Sequence, residues 1–271
     1  FKYTHFYEWK VESEKYLFKE KYPSLLGSYF KTIDKLNEKE IIPLAGISNS
    51  FTLHCNESGY WSNYKSDQNG YNNLNQFEFV NVDVLLLGDS FVHGACVNYE
   101  NTIVGNLNQK ISAYNLGYDG FGPLRSYAAL IEYGLSKKPK NVFFFFYEEN
   151  DLQGLKKEME YTTLQKYVKN ENFSQNLISK QRVIDKNLKN FFTKKLLNEK
   201  KYVKIFKLKR VLKFNNIREI INFRNAPQIE KVDTESLKNL IHILQLAEKK
   251  LKSINSNLYF VYLPSYNRYM S

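Results

Sequence analysis

The spacing of apolar and polar positions divides this 271-residue chain into four parts, and residues 81–154 carry the clearest pattern. Val82 to Leu87 is apolar throughout from Val84 and stops at Gly88, the profile of a parallel strand buried on both faces. Residues 99–110 put Ile103, Val104 and Leu107 on one helical face. Ile111 to Leu116 predicts a second short strand, closed by Gly117. Pro123, a residue favoured in a first helical turn, opens a helix with Leu124, Tyr127, Ala128, Leu130 and Ile131 inward. Lys137, Lys138 and Pro139 end it. Asn141 to Tyr147, with VFFFFY at its centre, is a third strand.

The pattern returns at residues 233–271. Asp233 or Thr234 can cap a helix with Glu235 in its first turn. Leu237, Leu240, Ile241, Leu244 and Leu251 form its apolar stripe, and Leu258 to Leu263 makes a fourth strand. Strand–helix alternation of this kind predicts an α/β fold with a parallel sheet covered on both faces. Residues 1–80 form an N-terminal extension, helical in period early (Phe6, Trp9, Tyr16) and turn-rich later. Residues 155–232 read as an inserted set of basic helices.

Composition narrows the class. Hydrophobic residues make up 43% and aromatics 16%, enough for a core, which excludes a wholly disordered chain. Two Cys are too few for a disulfide scaffold or a Cys-rich zinc site, and no metal or cofactor is expected. The longest apolar run, Val142 to Tyr147, is far short of the roughly 20 residues a membrane helix needs. The net charge of +11 is uneven: residues 155–232 hold 20 Lys/Arg against 7 Asp/Glu, while the remainder holds 19 against 21. The basic segment is either a solvated helical face or a surface for an anionic partner such as lipid headgroups or an acidic glycan. No nucleic-acid motif accompanies it. Within it, Phe206, Leu208, Leu212, Ile217, Ile220 and Ile221 alternate with basic residues, so a helical cap beside the sheet edge is expected.

Ligands of an open parallel sheet bind outside the carboxyl ends of its strands. Those ends carry Gly88-Asp89-Ser90-Phe91, Asn115-Leu116-Gly117-Tyr118-Asp119-Gly120 and Glu148-Glu149-Asn150-Asp151. Together they offer a hydroxyl nucleophile, Ser90, and two donors for an oxyanion, the Gly117 amide and the Asn150 side chain. Taken singly, Ser90 could be a helix N-cap, Gly117 a turn residue and Asn150 a loop cap.

GDSF at 88–91, NLGYDG at 115–120 and ENDL at 149–152 resemble the first three blocks of the SGNH/GDSL hydrolase family, in order and approximate spacing. The resemblance implies a three-layer α/β/α, flavodoxin-like fold. It also implies Ser90 as nucleophile, Gly117 and Asn150 in the oxyanion hole, and Asp89 and Asp151 in supporting places. It implies a serine esterase or O-acyltransferase working through an acyl-enzyme, on a small ester or a cell-envelope glycan. The polar stretch Tyr64 to Asn73 resembles one that precedes the serine block in envelope-polysaccharide members. It either lines the acyl-acceptor side or is a surface loop entering the first strand.

Two departures stand out. Glu148 replaces a Gly usual in the third block. The Asp-x-x-His pair that the family places after its last strand is missing: no Asp has a His three residues on, and His5, His54, His93 and His242 all precede Leu258. A serine without a base is a poor nucleophile, so the chain is expected to be truncated before that pair. His93 is the in-chain rival and fits a polar wall residue better. A complete chain without the pair would instead suit a non-catalytic glycan- or partner-binding module. Cys55 and Cys96 are expected either to bridge, implying an oxidising compartment such as the periplasm, or to be unrelated thiols. The expected location is periplasmic or membrane-associated, with a cytoplasmic one left open.

Overall fold

The computed structural model describes residues 21–23, 41–54, 60, 62–74, 80–194 and 233–265. Three short strands, β1 (Lys21–Pro23), β2 (Phe51–Leu53) and β3 (Asn63–Lys65), form a small sheet in that order. The main sheet holds β4 (Val84–Leu87), β5 (Ala113–Asn115), β6 (Asn141–Tyr147) and β7 (Asn257–Leu263). Its order is β5-β4-β6-β7 and every pairing is parallel. The chain leaves β4 toward one side and later returns to build the other. The switch point therefore falls between β4 and β6, where such sheets open a crevice.

Each β4 residue is buried, as its unbroken apolar run predicts. Leu85 and Leu87 face one layer, and Val84 and Leu86 face the other. The second layer is thin. It holds α1 (Ser90–His93) and α2 (Ile103–Leu107), which contribute Val92 and Val104. The first layer holds α3 (Pro123–Ala129), which runs on through a wide turn at Leu130–Gly134 and a tight one at Leu135–Lys137. Beside it lie α4 (Asp151–Glu158), α5 (Thr162–Lys169), helical residues 181–194 (α6) and α7 (Thr234–Lys252). This is the three-layer α/β/α fold expected from the alternation.

β6 alternates: Val142, Phe144 and Phe146 are buried under the thick layer, and Phe143 and Phe145 are half-covered by the thin one. β7 is the outer strand and leaves Tyr259, Phe260 and Tyr262 exposed. α7 starts at its expected cap, where Asp233 accepts from the Glu235 amide at 3.2 Å. Its buried stripe is rotated from the expected one. Leu240, Ile243, Leu246, Ala247 and Leu251 face inward, and Leu237 and Ile241 lie outside. Helical spacing alone admits both stripes, and packing on α3, α4 and β7 selects one.

The extension and the insertion share the core of the main sheet. Ile42, Leu44 and Leu53 from the extension share one cluster with the sheet, and so do Leu155, Leu164, Tyr167, Ile184 and Phe192 from the insertion. Buried Glu132 pins the insertion: its carboxylate accepts from the Gln175 amide (2.5 Å), the Leu177 amide (2.9 Å) and the Tyr167 hydroxyl (2.6 Å). Gln175 in turn accepts from the Ile42 amide at 2.9 Å, and Asp185 accepts from the Ser48 hydroxyl at 2.6 Å. The expected early helix (Phe6 to Tyr16) and the later half of the insertion lie outside the described residues.

Glu132→Ala is expected to destabilise by about 3 kcal/mol or more, since it strands several buried donors. Leu237→Lys should stay within about 0.5 kcal/mol, as an exposed position does. Urea denaturation of both variants checks the layer and the rotation of α7 together.

Candidate active site

The first turn leaves β4 at Gly88. A Cβ there would lie 2.7 Å from Val92 Cγ2 and 3.0 Å from Phe145 Cβ, so the site excludes one. Asp89 is the helix N-cap, its Oδ1 accepting from the Phe91 amide at 3.0 Å. Ser90 is therefore the first helical residue and not the cap, and its hydroxyl is not consumed in capping. α1 lasts one turn and ends at Gly94 in the left-handed region (φ 78°). So short a helix adds little dipole field at Ser90.

The third turn brings Asn150 to the N-cap position of α4, yet its side chain makes no capping bond and stays exposed. The amide of Asn150 and the hydroxyl of Ser90 both lie close enough to the Asp89 carboxyl to favour its charged form. Burial outweighs them and raises Asp89 overall. Asp151 sits behind, Oδ2 accepting from the Tyr147 amide at 2.7 Å. Burial, and then the Asp89 charge, push Asp151 up to about 8. Asp89 Oδ2 and Asp151 Oδ1 are both buried without a hydrogen-bond partner. Ser90, Asn150, Asp89 and Asp151 are thus brought together across the crevice between β4 and β6.

Gly117 does not join them as expected. Its amide donates to Asn115 Oδ1 at 2.8 Å, and a Cβ would fall 2.4 Å from Val92 Cβ. The missing side chain makes room for Val92, not for a substrate. The neighbouring amides are engaged as well. Leu116 donates to Leu86 O (2.9 Å), Tyr118 to Gly88 O (3.1 Å) and Asp119 to His93 Nδ1 (3.1 Å). Phe121 donates to Tyr118 O (3.1 Å) and Gly122 to Glu158 Oε1 (2.7 Å). Among the described residues, Gly120 alone in this run has an amide without a partner, and it is exposed with φ 77°. The donor this turn can offer is Gly120. The block NLGYDG contains both glycines, and the bulk of Val92 and the Asn115 acceptor distinguish them.

His93 is a wall residue. It is fully buried, and Nδ1 accepts from Asp119, so the proton sits on Nε2, which faces the Tyr64 hydroxyl at 2.9 Å. Its ring stacks on Tyr118 at 4.3 Å and lies 4.5 Å from His54. Burial, then the neighbouring His54, hold His93 well below the ordinary range. With both nitrogens occupied it is no base for Ser90. Burial lowers His54 to about 4, and neither of its nitrogens has a partner.

The stretch from Tyr64 to Asn73 is not a surface loop. It is mostly buried and braces the second turn from beneath. Asp67 accepts from the amides of Asn69 (2.8 Å) and Tyr71 (2.9 Å), from Tyr114 Oη (2.5 Å) and from Asn73 Nδ2 (2.9 Å). Asn73 then pairs with the backbone of Asn115, accepting at 2.8 Å and donating at 2.9 Å, as a neighbouring strand would. Burial nevertheless raises Asp67. Cys96 is engaged in a disulfide, and Cys55 lies outside the described residues. Among the described residues no cluster of His, Cys, Asp and Glu could hold a metal ion. No protein-family model and no curated protein matches this chain.

Gly117→Ala should cost about 1–3 kcal/mol by overpacking, and adding Val92→Ala should recover part of it. A denaturant double-mutant cycle reads that coupling. Asp151 titrates higher folded than unfolded, so the folded state favours its neutral form. Its contribution is present below the unfolded value of 3.8 and is lost as pH rises toward about 8. Asp151→Asn should therefore raise the melting temperature more above pH 8 than near pH 4.

Proposed function

We propose that this chain is a serine esterase or O-acyltransferase of the SGNH/GDSL type. The observation that carries the reading is the meeting of Ser90 and Asn150, from two different strand ends, at Asp89, beside a turn whose one free amide is that of Gly120. Ser90 Oγ attacks an ester carbonyl, and the carbonyl oxygen becomes an oxyanion facing Asn150 Nδ2 and the Gly120 amide. Collapse expels the alcohol and leaves an acyl-Ser90, which water or a sugar hydroxyl resolves. The Ser90 proton needs an acceptor, and His93 is occupied. The chain leaves β7 beside the third turn, where the Ser265 amide donates to Glu148 Oε2 at 2.9 Å. A base carried by a segment after β7 would enter at this edge.

The proposed substrate is an O-acylated glycan or a small ester. The disulfide at Cys96 supports an oxidising compartment such as the periplasm. Among the described residues no helix is long and apolar enough to cross a membrane. The basic apolar stretch proposed to meet an anionic membrane lies outside them. The second reading, a non-catalytic glycan- or partner-binding module, is favoured by His93, whose two ring nitrogens are both occupied.

The test is p-nitrophenyl acetate hydrolysis with added imidazole as a surrogate base, together with mass spectrometry of Ser90. We expect slow turnover without imidazole and an imidazole-dependent acetyl adduct on Ser90. Ser90→Ala should abolish the adduct, and Asn150→Ala should lower the rate about 10²–10³-fold. No Ser90-dependent turnover under either condition would favour the binding module.

A further inference from the structure

We propose that His93 and Glu158 are positioning residues that clamp the Gly117–Gly122 turn from both sides and fix the direction of the Gly120 amide. The inference rests on the acyl-transfer reading and concerns residues outside its three motif blocks.

The turn has two external anchors next to its free amide. On one side, Asp119 N–H donates to His93 Nδ1 at 3.1 Å. His93 closes the one-turn helix that Ser90 opens, so this bond ties the turn to the body that carries the nucleophile. On the other side, Gly122 N–H donates to Glu158 Oε1 at 2.7 Å. The Leu124 and Arg125 amides donate to Oε2 at 3.0 and 3.3 Å. Glu158 ends α4, the helix that Asn150 caps. The clamp therefore links the turn to the elements bearing Ser90 and Asn150, and Gly120 lies between its two contacts at Asp119 and Gly122.

Both anchors are stiff. The imidazole cannot turn freely, because Tyr64 holds Nε2 and the ring lies between Tyr118 and His54. That fixes the direction in which Nδ1 accepts. Glu158 is buried, and its carboxylate is balanced by Arg125 at 3.6 Å and by the three amides. The fit is close: a Cβ on Gly122 would lie 2.8 Å from Glu158 Oε2. An amide left unpartnered at the apex of a turn so held is pre-oriented for charge that develops only during reaction. Losing either anchor lets that amide drift, and a misplacement of about 1 Å can cost about 10²-fold in rate.

The experiment compares His93→Asn, His93→Gln and Glu158→Gln in the full chain. Asn puts an acceptor where Nδ1 stands, and Gln moves it to the Nε2 position. Assays use p-nitrophenyl acetate with imidazole above pH 7, where Glu158, raised to about 7 by burial, is ionised. Hydrogen exchange of residues 118–125 is followed in parallel. We expect His93→Gln and Glu158→Gln to lower kcat by about 10²-fold with KM little changed, and to speed exchange in 118–125 while the sheet stays protected. His93→Asn should lose least on both measures. The clamp is overturned if His93→Asn falls as far as His93→Gln, which would make ring packing the cause, or if exchange in 118–125 is unchanged. If the wild-type chain has no Ser90-dependent turnover, the acyl-transfer reading fails on its own. The exchange comparison then decides whether the two residues hold the turn.

Discussion

Val92 occupies the space that two backbones would otherwise fill. The Cβ positions of Gly88 and Gly117 both fall inside its side chain, at 2.7 and 2.4 Å from its nearest atoms. The ends of β4 and β5 can approach each other only because both residues lack a Cβ and a branched side chain fills the gap. That packing sets how far Ser90 stands from the second turn. It also directs the second turn's amides inward, Gly117 to Asn115 and Tyr118 to Gly88, until only the apex is left open. Close packing of this kind resists small shifts, since interiors have few voids to relax into.

Beneath that contact the molecule uses polar groups where a larger domain would use a further strand. Asn73 lends its side-chain amide to β5 as a one-residue partner, and Asp67 collects two amides, a phenol and a carboxamide around one carboxylate. A buried carboxylate is costly unless its lone pairs are met, and here the donors converge from a short stretch and from Tyr114. The arrangement makes the segment before β4 part of the site's foundation.

Much of this was legible in advance. The four strands of the main sheet, the Asp233 cap and the strand-end positions of Ser90 and Asn150 follow from periodicity and from turn chemistry, which are local properties. The errors share a cause, dependence on contacts between distant residues. Gly117 and Gly120 differ only through Val92 and Asn115. Leu237 and Ile243 flank Leu240 on opposite sides of a helical wheel, and only the sheet beneath selects between them. Residues 64–73 are polar like a surface loop although Ser66, Asp67, Asn69 and Asn73 find buried partners, and composition cannot distinguish water from protein as that partner. In the insertion, charge marked the surface, while Tyr167, Leu177 and Ile184 entered the common core unmarked.

The bonds that join the extension to the insertion have a further effect during synthesis. Ile42 meets Gln175 across 133 positions and Ser48 meets Asp185 across 137. At roughly 5–20 residues per second, the partner of Ile42 leaves the ribosome on the order of ten seconds after Ile42 does. Ile42, Leu44 and Ile47, all buried in the finished protein, must wait through that interval without their cover. Long-range closure of this kind slows folding. The nascent chain thus offers a short apolar segment to any holdase present, in a window that closes when α6 emerges.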